Sequence, residues 1–408
     1  MRKRLAFGTL LALVVATPAI ALAVAAPVSA TQAPAATRLS TVGLTPSSEP
    51  VTARLSSVSC PAFERCVAVG YYLVGPTSHT LVESLIGTTW KVTASPSPGS
   101  SSALSGVSCV GVSFCVAVGN LTASGKTSTL VEEFNGSSWS VESSKSPGTT
   151  GNGLSGVFCR STTSCTAVGT STSSAQGFPT HTLVEFFNGH SSSVEASPSP
   201  GVSLNALGGV DCTSASSCEA VGLTASNITK TKTLVESLSG ASWKVTSSPS
   251  PGAGGASLTD VSCRSPASCV AVGYEQPSAT SQLGHTLLES FNGSTWSVTV
   301  SPNPGAGGDF LAGVSCISAS TCVAVGHDGK VAGGPTKSLV EMLQAGSWKA
   351  ASTASPGTGN NFLLGAFCFS AQFCVAVGWQ TPLSDNPTKT LVETFNGHTW
   401  SLSTSPSP

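Results

Sequence analysis

Charge is scarce in this 408-residue chain: Asp, Glu, Lys and Arg together make up 9% of it, against about 25% in an ordinary globular domain. That scarcity excludes a disordered acidic or basic polymer. The formal net charge of −1 gives no electrostatic drive toward nucleic acid or an anionic membrane surface. Arginine is thin as well. Past Arg2 and Arg4 the chain holds only Arg38, Arg54, Arg65, Arg160 and Arg264, a poor supply for the converging arginines of a sialidase-like site. There is no nucleophile motif, P-loop, HExxH zinc motif or EF-hand loop. What the chain has instead is 43 Gly, 25 Pro and abundant Ser and Thr, a composition that favours short strands and turns over helices.

The first 30 residues open with Arg2, Lys3 and Arg4, continue as an apolar run from Leu5 to about Ala26, and end on Val28-Ser29-Ala30. This is the pattern of a secretory signal peptide. Pro18 and Pro27 and the small-residue exit favour its removal over retention as a spanning helix. Loss of three basic residues takes the net charge from −1 to −4. A secreted, extracellular protein with no stable membrane insertion after signal removal is therefore expected. Residues 31–53, rich in Ala, Thr, Ser and Pro, read as a flexible lead.

The remainder is one sentence of sequence written seven times. Cysteines fall as Cys60/Cys66, Cys109/Cys115, Cys159/Cys165, Cys212/Cys218, Cys263/Cys269, Cys316/Cys322 and Cys368/Cys374, every pair spaced C-x5-C. The repeats run over about 54–99, 100–148, 149–201, 202–252, 253–305, 306–357 and 358–408. The fifth shows the plan most clearly. Alternation and turn residues divide it into strands at Leu258–Cys263, Cys269–Gly273, Thr286–Phe291 and Trp296–Val300. Asn292-Gly293 marks the last hairpin, and Ser-Pro-x-Pro-Gly ends the unit with residues that do not continue a ladder. Four antiparallel strands per repeat of about 50 residues is the signature of a propeller blade. The expected fold is all-β, a seven-bladed β-propeller over residues 54–408, with the mode of ring closure left open.

Cysteines in matched pairs on a secreted chain are expected to form seven disulfides, one within each blade, each worth roughly 2 kcal/mol in the chain-entropy model. C-x5-C is not a zinc spacing and no histidines accompany it, so no metal and no cofactor is expected. The third strand carries Glu83, Glu132, Glu185, Glu236, Glu289, Glu341 and Glu393. A residue present in every copy builds the scaffold, because an active site is a single asymmetric constellation; these carboxylates are expected to accept hydrogen bonds between blades. Seven positions on come Trp90, Trp139, Trp243, Trp296, Trp348 and Trp400 as core wedges, with Ser192 in the third copy.

The order L-x-x-V-S-C, C-V-A-V-G and T-L-V-E-x-F-N-G-x-x-W resembles the repeat of Asp-box and photosystem-assembly-factor-like propellers, over residues 54–408, with Asn292 standing where the Asp-box has Asp. The resemblance implies a propeller, and the Ala/Gly/Ser-rich, Lys-poor composition with this signal peptide points to a secreted bacterial protein. The resemblance is architectural and implies no activity.

Function is then sought where the copies disagree, after C-V-A-V-G. There the copies read Tyr71, Asn120, Thr170, Leu223, Tyr274, His327 and Trp379. In a closed ring Tyr274, His327, Trp379 and Tyr71, with Tyr72 beside it, form an aromatic arc over blades five, six, seven and one, suited to a sugar or a peptide. The non-repeat acids Asp260, Asp309, Asp328 and Asp385 read as scattered over loops, with Asp328 beside His327 the best acid/base candidate. The reading is a monomeric, non-enzymatic protein that binds an extracellular glycan or protein through one rim. A polysaccharide lyase or glycosidase and a structural cell-envelope component are the alternatives.

Overall fold

The computed structural model describes residues 52–189, 191–227, 230–279, 281, 283–305, 307–329, 334–356, 359–381 and 387–408. Residues 1–51, which include the expected signal peptide and lead, and Asp385 lie outside the described residues. Twenty-eight strands in chain order form seven four-stranded antiparallel sheets, each made of consecutive strands. The molecule is a seven-bladed β-propeller. First strands of adjacent blades contact each other all the way round, including blade seven to blade one, and so form the inner wall of the ring.

The strands are those the alternation marks, but longer. In blade five they run Gly255–Ser265, Ser268–Gln276, His285–Phe291 and Trp296–Thr299. The second strand continues past Gly273, because Tyr274 and Glu275 still pair with both neighbours. The residues after C-V-A-V-G are therefore strand positions and not rim loop. Likewise the first strand of blade one begins at Thr52, ahead of the repeat boundary read from sequence.

Each blade buries both faces. Leu, Val, Cys and Trp of one face pack on the valines of the preceding blade; in the seam between blades five and six, Leu311, Val314, Ala324 and Trp348 meet Val270, Val272 and Leu288. All six wedge tryptophans are 5–7% exposed. In blade three, Ser192 takes the wedge position opposite Phe187, and both are buried.

A disulfide joins the first and second strands of every blade, as the spacing predicts. Cys60 is bonded to Cys66, Cys109 to Cys115, Cys159 to Cys165 and Cys212 to Cys218. Cys263 is bonded to Cys269, Cys316 to Cys322 and Cys368 to Cys374, which leaves no free cysteine. In six blades the two cysteines of a pair face each other directly across the strand register, as Cys109 faces Cys115 and Cys368 faces Cys374. In blade one the register slips between Ser59 and Ala62, so Cys60 and Cys66 are bonded across an irregularity.

Every first strand carries an irregularity just after its leucine, as at Leu104/Gly106 and Leu363/Gly365. Five blades place glycine two residues past that leucine, where inner strands nearly touch, while Ser57 and Asp260 stand there in blades one and five. A Cβ on Gly156 would stand 2.7 Å from the Gly208 carbonyl, and one on Gly365 2.9 Å from the Ser57 Cα, closer than a side-chain carbon tolerates.

Among the described residues, ring closure uses no exchanged strand. Blade seven is built from Asn361–Ser370, Phe373–Gln380, Lys389–Phe395 and Trp400–Ser403. Its Phe373, Val375, Val377 and Val392 pack on Leu55, Val58 and Trp90 of blade one. The Ala53 amide donates to the Thr388 carbonyl at 3.0 Å. The seventh seam thus repeats the other six.

Candidate functional site

Two layers of the ring carry polar or aromatic chemistry. The first is the same in every blade. The third-strand glutamates are fully buried, and each reaches the preceding blade. Ser95 Oγ donates to Glu132 Oε2 at 2.5 Å, Ser197 to Glu236 at 2.5 Å, and Ser248 to Glu289 at 2.7 Å. Ser144 and Ser301 serve Glu185 and Glu341 in the same way. Glu393 takes Ser338 Oγ at 2.8 Å and the Ala354 amide at 2.9 Å. Ser405 Oγ donates to Glu83 at 2.7 Å, which clasps the last blade to the first.

Most of these serines open the Ser-Pro-x-Pro segment. Proline ends the fourth strand by removing a ladder donor, and the freed extended segment then crosses to the next blade. The serine also meets the threonine of its own third strand, as Ser248 Oγ does Thr233 at 3.0 Å. Burial raises the acids to about 7 at Glu83, Glu236, Glu289 and Glu341 and to about 8 at Glu132, against the serine hydrogen bonds that favour the ionised form. Oε1 of Glu83, Glu132, Glu236 and Glu289 has no partner.

The second layer differs between blades. It lies at the start of the first strands, where each residue after C-V-A-V-G pairs with a first-strand residue: Arg54 with Tyr71, Ala103 with Asn120, Gly153 with Thr170, Ala206 with Leu223, Ser257 with Tyr274, Phe310 with His327, and Phe362 with Trp379. From blade five to blade seven the rings form a continuous row of contacts, stacked, tilted or edge-on. Tyr274 and Phe310 centroids are 5.0 Å apart, Phe310 and His327 4.9 Å, His327 and Phe362 4.7 Å, and Phe362 and Trp379 4.1 Å. The Arg54 guanidinium closes the row 4.1 Å over the Trp379 ring, a cation–π contact.

Sequence reasoning named alternate members of this stack and missed Phe310, Phe362 and Arg54. The signal was available: these three precede the leucine of L-x-x-V, where other copies carry Ala, Gly or Ser. Trp379 is only 9% exposed, held between Phe362 and Arg54, so it is the floor of the row. Tyr274, His327, Phe310, Phe362, Arg54 and Tyr71 are half-buried. Tyr72 points to the other side of its strand, packs on the seam between blades seven and one, and stacks on His79 at 5.2 Å; it is not part of the arc.

His327 and Asp328 are not a catalytic pair. As successive strand residues they face opposite sides of the sheet. The His327 ring lies between Phe310 and Phe362 with Nδ1 buried and unpartnered, and burial lowers its pKa to about 4. The acids read as loop residues also change place: Asp260, Asp309 and Asp328 all lie in strands. Asp260 is spent on the Val261 and Val314 amides, both at 2.9 Å.

No protein-family profile and no curated protein matches the chain. Among solved structures it is similar to YCF48 bound to a D1 peptide, at 12% identity over 81% of this chain and 91% of that one, with a TM-score of 0.49. YCF48 from Cyanidioschyzon merolae gives 13% identity, 82% and 94% coverage and a TM-score of 0.48. A PL25 ulvan lyase gives 8% identity, 70% and 80% coverage and 0.45. The likeness is one of architecture. It carries nothing about ligand or activity.

At the other end of the inner strands the disulfides of blades one, two, six and seven border an opening. Pro61, Val110, Arg264, Ile317, Phe367 and Phe369, from blades one, two, five, six and seven, line a cavity of about 410 Å³. The two cysteines of a pair stand differently toward it. Cys60, Cys109, Cys316 and Cys368, on the first strands, reach its wall. Their second-strand partners Cys66, Cys115, Cys322 and Cys374 do not, and neither does Cys218 of blade four; all five are buried among the apolar side chains of their seams. Asp211 on blade four, whose Oδ2 accepts the Cys263 amide at 2.7 Å, is raised to about 6 by burial.

Proposed function

We propose that the protein is a non-enzymatic, secreted binding protein that holds an extracellular glycan on the aromatic row of blades five, six, seven and one. The observation that carries the reading is the asymmetry of one layer in an otherwise repeated ring. Half-buried rings with polar edges at Tyr274, His327 and Tyr71 offer flat apolar area beside hydrogen-bonding groups, which is what a sugar face and its hydroxyls require. Arg54 adds a cation at one end of the row. Rings already stacked on one another lose little side-chain freedom on binding.

The test is retention of the oxidised protein on immobilised glycans and cell-wall polysaccharides, beside an Arg54→Ala/Tyr71→Ala variant whose Tm is measured in parallel. These two residues are chosen because Trp379 is buried and its loss would disturb folding. Retention that the variant loses at unchanged Tm is the expected result. Equal retention by the variant would move the site elsewhere, and release of shortened product would replace the reading with a lyase or glycosidase. No retention on any glycan would turn the assignment to a protein segment.

A further inference from the structure

One position of the repeat supports a ligand site in blade six. The residue two before the L-x-x-V leucine is Asn361 in blade seven, where Nδ2 donates to the Gly359 carbonyl at 3.0 Å and Oδ1 is buried without a partner, Asn152 in blade three and Asn205 in blade four. In blades three and four the side-chain amide knits the seam. Asn205 Oδ1 accepts the Gly201 amide at 2.7 Å, while Nδ2 donates to the Gly201 carbonyl at 2.7 Å and to the Thr180 carbonyl of the preceding blade at 2.9 Å. Asn152 repeats this with the Gly148 amide and carbonyl and the Thr127 carbonyl. Thr224, opposite Asn205 on the second strand, adds a hydroxyl donor at 3.0 Å.

In blade six both partners are acids. Asp309 stands where Asn205 does, and Asp328 pairs with it where Thr224 does. Asp309 is 1% exposed, and its Oδ2 still takes the Gly305 amide at 2.8 Å. Its Oδ1 occupies the place of an NH2 group that donates to two carbonyls, yet has no proton to give and no partner. Asp328 Oδ1 is also buried without a partner. Main-chain oxygen surrounds the pair. The Gly284 carbonyl receives the Asp309 amide at 2.9 Å, and Gly329 O and Asp309 Oδ1 lie 3.0 and 2.0 Å from the point a Gly305 Cβ would occupy. Neither basic neighbour forms an ion pair with the two acids: His285, which acts on Asp309 through space, has its Nδ1 3.9 Å from Glu275, and Lys337, opposite Asp328, is exposed and makes no ion pair among the described residues.

We propose that blade six binds a hard divalent cation of the calcium class between the carboxylates of Asp309 and Asp328, with main-chain carbonyls and water as its remaining ligands. A cation supplies the positive partner that the amide hydrogens supply in blades three and four. An all-oxygen donor set selects calcium over zinc or copper. Among the described residues no three Asp, Glu, His or Cys side chains converge as a metal site, so the two acids and the backbone carry the binding. The site is independent of the glycan reading, although Phe310 and His327 are its sequence neighbours.

The experiment is calorimetric titration of calcium chloride into the oxidised, chelator-treated protein, with thermal melts in calcium and in chelator, on the wild type and on Asp309→Asn. The variant recreates the residue of blades three and four, so it is expected to fold. The wild type should bind calcium saturably and gain several degrees in Tm. Asp309→Asn should melt above the calcium-free wild type and no longer respond to calcium. Absence of heat and of a Tm shift in the wild type would overturn the proposal. An undiminished calcium response in Asp309→Asn would overturn it equally, by placing the cation elsewhere.

Discussion

Blades two to four and blades five to one share the disulfide and, but for Glu393 and Ser192, the clasp and the wedge, yet differ at the layer above. Blades two, three and four fill it with Ala103 and Asn120, Gly153 and Thr170, Ala206 and Leu223. Blades six and seven fill it with Phe310 and His327, Phe362 and Trp379. Since half of the ring closes without aromatics there, the scaffold does not require them. What blade-to-blade packing requires is the layer below, where the same glutamate and serine recur in every seam but one, the seam at Glu393, where Ser338 and a main-chain amide serve instead.

The comparison is broken most forcefully at Trp379. Its ring is enclosed by Phe362 and Arg54, so Trp379→Ala should cost about 3 kcal/mol through lost burial and a cavity. Leu223→Ala, at the matching place in blade four and half-buried, should cost about 1 kcal/mol. Chemical denaturation of the two variants measures both. Equal losses would mean that the aromatic half is no better packed than the small half.

The clasp layer predicts a pH dependence carried by Glu83, Glu132, Glu236, Glu289 and Glu341. A buried acid whose folded pKa stands at about 7 or 8 binds a proton that the unfolded chain has released above roughly 4.5. Its stabilising contribution is complete below the unfolded value and is lost as pH rises through the folded one. The Tm should therefore fall by several degrees between about pH 5 and pH 8. Glu132→Gln should reduce that fall more than Glu289→Gln, because Glu132 is raised further. Scanning calorimetry across the pH series decides it, and a flat profile would show that the carboxylates stay ionised in their seams.

His327 bends the same profile the other way. Burial lowers its pKa to about 4, so the unfolded chain takes up a proton that the folded one refuses. Its share of stability is present above the unfolded value of about 6.5 and is lost as pH falls toward 4. His327→Phe keeps a ring in the stack and removes that term. The variant should gain roughly 1–2 kcal/mol on the wild type at about pH 5 and little at pH 7.5, read from denaturation at the two values. A constant difference would show that His327 is already charged between Phe310 and Phe362.

The fold was legible in the sequence because the repeat supplies seven independent readings of one pattern. Cysteine spacing, Asn292-Gly293 and the Ser-Pro-x-Pro ending each mark a strand end. The clasp was half legible. Glu83 and its equivalents stood out by recurrence, but nothing in Ser405 announced that it crosses the closing seam, because that contact spans nearly the whole chain. Phe310 and Phe362 were missed because variation was sought only after C-V-A-V-G; strand register, which sets them opposite His327 and Trp379, is not written in either segment alone. Asp309 and Asp328 were taken for loop residues because no apolar alternation marks the ends of their strands.

The smallest effect is expected where the comparison is sharpened by grafting. Gly153 holds in blade three the place of Phe310 and Phe362, and a Cβ there would meet only Asn120 Nδ2, at 3.7 Å, and Asn120 Cβ, at 3.9 Å, both ordinary contacts. The backbone already carries a paired strand at this point, so a phenylalanine needs no new conformation, only room beside Asn120 and Thr170. Gly153→Phe should change stability by less than about 1 kcal/mol, the gain from ending glycine's unfolded-state freedom offsetting the exposure of part of the ring. If the aromatic row is a binding surface, this added ring stands apart from it and leaves glycan retention unchanged. A loss of several kcal/mol in urea denaturation would instead show that blades two to four are kept small because the inner ring is too narrow on that side, and the asymmetry would then be a requirement of closure.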